Sequence, residues 1–284
     1  MAQLERILLV ADQSPNGKLA STLAGHLGGL RNMPVTVLVP RDPAAAGEET
    51  DDKAAAQSDA EQVKTASEGG IAKAQEDDET RENSLHVEAR TTVDDLGTAI
   101  GAELDKGHDL MFLGLHPVAA EAGGYEGRIK TALDAFRQTT AIASARGHLS
   151  RVPDATLRIL VLVGGDNRSM RALELGVLIA KASNGRVAAI SVPQEDEGRP
   201  RTEAQIEALF DHVREIGRHY EVEVRTIRAG GNRELGILTQ ARRGRYNLLL
   251  VGVGRRAGDR LSLGTLADTL LDTADRSLLF FVTD

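Results

Sequence analysis

At 284 residues with 41% hydrophobic content, the chain is long enough for two α/β domains, each with its own core. It contains no cysteine, which excludes disulfides, thiolate chemistry and zinc–sulfur sites, and no apolar run reaches the ~18 residues of a membrane span. A net charge of −8, 3% aromatic residues and no tryptophan disfavour a nucleic-acid partner, because neither a basic field nor base-stacking platforms are available.

The elements alternate along the chain. Arg6–Ala11 is a continuous apolar run and reads as a buried strand, followed by the turn Asp12–Gly17. A helix then carries Leu19, Leu23, Leu27 and Leu30 along one face, and Pro34–Val39 is a second strand closed by Pro40. Between Arg41 and Glu82 thirteen acidic residues face five basic ones, so this stretch alone carries the whole net charge. Its composition favours a helix over Asp52–Gln75, but with little apolar face, and the expectation is a loose or partly disordered segment. Leu85–Thr91 alternates as a half-exposed strand, Val93–Asp105 is helical, and Asp109–Leu115 is a buried strand. A helix near Lys130–Arg137 and a strand at Thr140–Ala145 close the first half, and Gly147–Ala155 connects onward.

The same order then recurs. Strands at Leu157–Val163, Val187–Val192, Val222–Ile227, Asn247–Val251 and Ser277–Val282 alternate with helices at Ser169–Ala182, Thr202–Tyr220 and Glu234–Arg242, and with one opening at Gly264-Thr265. Val39-Pro40 is matched to Val192-Pro193, Val87–Arg90 to Val222–Arg225, and Asp109–Gly114 to Asn247–Gly252. The repeat predicts two tandem α/β domains with doubly wound, Rossmann-like parallel sheets: residues 1–146 with an acidic insert at about 41–84, a linker at 147–156, and residues 157–284. Each carries a ligand crevice at the carboxyl ends of its strands.

The best candidate site is the glycine-rich stretch Gly252–Thr265 between a buried strand and a helix. Free backbone N–H groups, the helix dipole and Arg255, Arg256 and Arg260 suit an anion there, although a plain surface loop has the same composition. Other chemistry is thin. The seven histidines show no metal spacing: His26 and His116 read as partly exposed, and His86 and His108 as solvent-facing. Glu76–Glu79 lacks the glycine-turned loop of a calcium site, so no metal is expected. Ser14 and Ser169 have no partnered base, which leaves nucleophilic catalysis unsupported.

The second half resembles a universal stress protein domain, whose signature closes its fourth strand with Gly, two residues, Gly, nine residues, then Gly-Ser or Gly-Thr. Gly254 and Gly264-Thr265 keep the long spacing, while Gly252 and Gly254 stand one residue closer than the pattern. The duplication makes the chain a tandem of such domains. Leu4–Val10, Ser14–Gly17, Thr140–Gly147, Gly252–Gly258 and Arg276–Val282 resemble the tandem stress-protein region at the cytosolic C-terminus of bacterial monovalent cation:proton antiporters. In the family an Asp after strand one holds the adenosine moiety, a backbone group at the end of strand two helps with adenine, and the glycine loop takes the phosphates. The first half keeps Asp12 but not the glycine spacing. The second half keeps the loop but has Gly164 at the Asp position, with Asp166 two residues on.

The resemblance therefore implies a nucleotide site at Val163, Gly164, Asp166, Val192, Gly252, Gly254, Arg255, Arg256, Gly264 and Thr265, with Asp12 as the remnant in the first half. Its ligand is ATP, AMP or another adenine nucleotide, bound weakly, or the site has decayed and the domains are scaffolds. The expected function is a non-catalytic regulatory module of a cation:proton antiporter, tethered through the transporter to the inner membrane and without inserting in it; a free-standing tandem stress protein is the alternative. A nucleotide hydrolase or transferase is the weakest reading, since neither a phosphate loop after strand one nor an acidic metal cluster is present. Met1 is expected to be a domain boundary or the start of a separate subunit. A homodimer is expected, and because family domains pair through their last strands, Thr140–Ala145 is expected to pair with Leu278–Val282 inside one chain.

Overall fold

The structure, a computed structural model, describes residues 4–40, 49–76, 87–92, 95–116, 124–192, 202–230, 232–254 and 263–283. In chain order the first half contains β1 (Ile7–Ala11), α1 (Pro15–Arg31), β2 (Val35–Pro40), α2 (Glu49–Gln75), β3 (Val87–Thr92), α3 (Leu96–Leu104), β4 (Leu110–Gly114), α4 (Gly124–Ala135) and β5 (Thr139–Ser144). The second half repeats it with β6 (Arg158–Leu162), α5 (Asn167–Ala182), β7 (Arg186–Ser191), α6 (Glu203–His219), β8 (Val224–Arg228), α7 (Arg233–Arg243), β9 (Leu248–Gly254), α8 (Thr265–Thr273) and β10 (Ser277–Thr283).

All ten strands join one sheet in the order β3-β2-β1-β4-β5-β10-β9-β6-β7-β8. Every pairing is parallel except β5 with β10, which is antiparallel and sets Thr140 opposite Val282, Ile142 opposite Phe280 and Ser144 opposite Leu278. The expected contact between the two closing strands is therefore present. Ile142 and Phe280 are 138 positions apart, as are Gly114 and Gly252, so equivalent residues meet across a local pseudo-twofold axis. The predicted class, α/β with a doubly wound parallel arrangement in each half, describes the structure; the two halves share one continuous sheet.

Alternation along each strand sorts side chains into two layers. Ile7, Leu9, Leu248, Leu250, Leu279 and Phe281 face the layer containing α1, α2, α5 and α6. Leu8, Val10, Leu249, Val251, Leu278 and Phe280 face the layer containing α3, α4, α7 and α8. Both layers run through both halves, so the apolar core is continuous across the junction.

The strand registers correct two of the sequence correspondences. Ile7 pairs with Val35 and Val35 with Val87, while Ile159 pairs with Val187 and Val187 with Val224. Val87 thus matches Val224 and not Val222, and Val39-Pro40 matches Ser191-Val192. The Val87 correspondence slips by two residues, which preserves the inward and outward alternation and so escapes the pattern, whereas the Val39-Pro40 correspondence slips by one at the strand end, where matching the Val-Pro pair outweighed the alternation.

The acidic segment also differs from expectation. Its described part is helix α2, the crossover between β2 and β3, and it packs closely on α1. Ala60, Val63, Ser67 and Ile71 are buried there. The contact is made by small residues: a Cβ on Gly25 would meet the Ser67 carbonyl at 2.1 Å, and one on Gly70 would meet the Thr22 carbonyl at 2.6 Å. Residues 41–48 and 77–86, including His86, lie outside the described residues. Two other histidines are more buried than expected. His26 is only 1% exposed and its Nδ1–H donates to the Gly70 carbonyl at 3.1 Å. His108 is 4% exposed, with Nδ1 at 2.7 Å from the Glu103 carbonyl and Nε2 at 3.0 Å from Thr36 Oγ1.

Two stability predictions follow from the α1–α2 contact. Gly25→Ala forces backbone apart and is expected to cost on the order of 2–3 kcal/mol, whereas Gly69→Ala, in open space on the same helix pair, is expected to stabilise by up to about 1 kcal/mol; thermal unfolding of the two variants checks this. Desolvation lowers the His26 pKa from 6.5 to about 4, against the opposing hydrogen bond to Gly70. The unfolded chain therefore binds a proton that the folded chain refuses between those values. His26 should withdraw roughly 3 kcal/mol of stability as pH falls from 6.5 to 4, and none above it. Denaturant unfolding of the protein and of His26→Asn across that range reads the difference; parallel pH profiles would remove the effect.

Candidate functional site

The crevice expected at the carboxyl ends of the strands can be built twice and compared. In the first half Ala11 lies opposite Gly114, and in the second Leu162 lies opposite Val251, which brings Val163 beside Gly252. Each glycine is required by close approach of the following helix. A Cβ on Gly114 would meet the Asn16 carbonyl at 2.3 Å, and one on Gly252 would meet the Arg168 carbonyl at 2.5 Å. Asn16 and Arg168 are thus equivalent, as are Asp12 and Gly164, and His116 and Gly254.

In the first half this crevice is stitched shut by its own residues. Asp12 Oδ1 accepts the Ser14 N–H at 3.1 Å and the Ser14 hydroxyl, and Oδ2 accepts the His116 N–H at 2.6 Å. Three of the roughly four acceptor positions of the carboxylate are used inside the protein. Asn16, buried, donates to the Leu115 carbonyl at 2.8 Å and accepts from the Ala145 N–H at 2.7 Å. Gln13 donates to Asp59 of α2. The exits of β1, β4 and β5 are thereby held together, and most of the Asp12 carboxylate is spent inside the protein.

The second half keeps the backbone and drops the latch. Gly164 carries no side chain, and its N–H donates to Ser169 Oγ at 3.0 Å. Gly165 has φ +76°, the left-handed turn that glycine tolerates. Asp166 does not replace Asp12: it occupies the place of Ser14, as N-cap of α5, accepting the Ser169 N–H at 2.7 Å. Where Asp12 holds His116, the exposed Arg168 side chain lies over Gly254 instead. A Cβ on Gly254 would meet the Arg168 guanidinium carbon at 2.7 Å and its Nε at 2.9 Å.

The remaining site residues are placed around this mouth. Val163 and Val192 are buried at the ends of β6 and β7, on either side of the Ile190 carbonyl that accepts the Val163 N–H at 2.9 Å. Gly264 is the N-cap of α8 with φ +97° and ψ 153°, a conformation essentially reserved to glycine, and it brings no side-chain cap. Thr265 is exposed as the first residue of α8. Arg255 and Arg256, with the rest of 255–262, lie outside the described residues. Strands β9, β6 and β7 are adjacent, and the chain turns to opposite sides of β6, so this is a switch point of the sheet.

Sequence reasoning missed Arg168 and Asn16. Asn16 follows the end of β1 by five residues and Arg168 the end of β6 by six, each in a helix's first turn, a position readable only once the strand-end glycine is known to touch it. Among the described residues no group of three or more His, Asp or Glu is arranged to hold a metal ion, and no helix is long and apolar enough to cross a membrane.

Comparison with known proteins agrees with this geometry. Residues 156–281 match the Universal stress protein family model. No curated protein matches the chain. Among solved structures, a universal stress protein from Archaeoglobus fulgidus DSM 4304 is 15% identical, with 99% of each chain covered and a TM-score of 0.62. A protein of unknown function from Pseudomonas aeruginosa PAO1 is 17% identical, with 99% of this chain and 94% of the other covered and a TM-score of 0.56. A universal stress protein solved in complex with cAMP is 18% identical over 44% of this chain and 97% of its own, with a TM-score of 0.37. Residues 156–281 thus match the Universal stress protein family model, and the whole chain shares its fold with a universal stress protein.

Proposed function

We propose that this chain is a non-catalytic binding module whose second half takes the phosphates of an adenine nucleotide weakly, while the first half serves as a scaffold. The observation that carries the reading is the Arg168 guanidinium lying over Gly254, where the first half spends Asp12 on its own backbone. A guanidinium beside glycine backbone, near the N-terminus of α8, offers bidentate and dipolar recognition of a phosphate. Gly164 removes the carboxylate that would hold a ribose hydroxyl, a loss of ~1.5–3 kcal/mol. Binding is weakened accordingly and suits sensing of abundant nucleotide. The match of residues 156–281 to the universal stress protein family supports the same assignment.

The biological setting in this proposal is regulation of a monovalent cation:proton antiporter, supported by the sequence resemblance of the Asp12, Thr140 and Gly252 regions to that cytosolic part. A free-standing stress protein would share the site and lack the transporter. Tethering to the inner membrane and a homodimer belong to the same proposal. With β5 and β10 paired to each other, the sheet edges left for self-association are β3 and β8.

Titration calorimetry with ATP and AMP tests the site. Arg168→Ala is expected to lower ATP affinity about tenfold with an unchanged unfolding temperature, because its side chain is exposed at the mouth. Asp12→Ala is expected to leave affinity unchanged and to destabilise the first half. ATP affinity that survives Arg168→Ala but is lost in Asp12→Ala would move the site to the first half.

A further inference from the structure

We propose a second anion site at the opposite end of the second half's strands, recognising the phosphate chain of a small oligophosphate. A cavity of about 490 Å³ opens there, lined by His148, Arg158, Arg245, Tyr246, Asn247 and Arg276 together with Ala155 and Thr156. That volume is in the range of small-molecule sites, roughly 300–1,000 Å³. It lies at the amino ends of β6, β9 and β10, and so away from the Gly164–Gly254 crevice.

The tandem fusion makes this cavity. In the strand order β5-β10-β9-β6, the chain leaving β5 must pass the starts of β10 and β9 before it can enter β6. The antiparallel junction puts the end of β5 and the starts of those strands at one edge of the sheet. The connecting segment is pinned as it passes: Arg146 N–H donates to Ser277 Oγ at 2.9 Å, and the Ser277 hydroxyl donates to the Arg146 carbonyl at 2.9 Å. At Gly147, with φ +56°, a Cβ would meet the Asp275 carbonyl at 2.7 Å. Asn247 fixes the floor, accepting from the Arg158 N–H at 2.8 Å and donating to the Thr156 carbonyl at 3.0 Å. His148, Ala155 and Thr156 of the connection therefore stand opposite cations that come from three separate strand starts.

The lining chemistry selects the ligand. Three arginines and a histidine converge, and among the described residues no carboxylate lines the cavity. Among the described residues Arg158 and Arg245 have no ion-pair partner. The nearest acid, Asp275, lies 3.4 Å from Arg242 Nε and 3.8 Å from Arg276 Nε, and the buried Arg276 Nε has no hydrogen-bond partner. Two arginines without an ion-pair partner among the described residues, and a third held only loosely by Asp275, gathered in a cavity with one aromatic wall, match a chain of phosphates by bidentate pairing. Gathering them without a ligand costs like-charge repulsion, which an oligophosphate relieves.

The phosphate chain can be inorganic or belong to a nucleotide, and calorimetry at low salt with tripolyphosphate and with ATP separates the sources. Arg245 sits at φ +53° after α7, a conformation that asparagine tolerates, so Arg245→Asn combined with Arg158→Gln preserves the backbone. Both probes are titrated in an Arg168→Ala background, which removes the guanidinium of the Gly254 crevice: this protein is expected still to bind tripolyphosphate, and adding the double substitution to cost at least tenfold in affinity. A parallel tenfold loss for ATP assigns the chain to a nucleotide, and a loss for tripolyphosphate alone assigns it to an inorganic oligophosphate. The proposal is overturned if the unmodified protein shows no tripolyphosphate binding, if adding the double substitution leaves the affinity of the Arg168→Ala protein unchanged, or if Arg168→Ala alone abolishes binding. The last result would place the phosphate in the Gly254 crevice.

Discussion

The antiparallel pairing of β5 with β10 is the constraint on which the rest of this structure depends. Each half alone would be a five-stranded sheet ending in an apolar edge, Thr139–Ser144 in one case and Ser277–Thr283 in the other. Such an edge exposes unpaired backbone donors and acceptors along a hydrophobic strand, and so templates association. Pairing the two edges satisfies both ladders and extends both core layers through the whole chain. The strands left at the outer edges are β3 and β8.

That junction also determines where chemistry can sit. Because the second half runs antiparallel to the first, the two crevices open at opposite edges of the sheet. The duplicated backbone has then diverged at a few side chains. Asp12 and Asn16 pull the exits of β1, β4 and β5 together, while Gly164 and Arg168 leave the exits of β6 and β9 as glycine backbone beside a guanidinium. One copy has turned its carboxylate inward onto its own backbone, and the other has an exposed guanidinium at the same mouth. The basic cavity at the starts of β6, β9 and β10 has no counterpart within a single half, since its lip is the connection between halves.

Packing between α1 and α2 shows how a polar segment joins a core. The acidic stretch lacks an apolar stripe, yet Gly25 and Gly29 on α1 and Ser67, Gly70 and Ala74 on α2 let the backbones approach until carbonyl and Cα atoms touch. Dispersion over that close contact substitutes for large apolar side chains. His26 is enclosed in it, neutral and bonded to the Gly70 carbonyl, so the contact carries its own sensitivity to acid.

The sequence by itself determined the element order, the duplication and the α/β class. These follow from periodicity and from apolar runs, which a chain cannot conceal while burying a core. It also marked Gly252 and Gly254, because the close approach of Arg168 demands glycine there in the sequence itself. The tertiary structure alone decided what distances between remote residues decide. Small-residue contact placed α2 on α1 and buried His26 and His108; strand register moved Val87 to match Val224. The fold set Arg168 against Gly254 and gathered Arg158, Arg245 and Arg276 from three strand starts. Side-chain identity is local, but convergence is a property of the topology, and only the β5–β10 junction brings those residues to one edge.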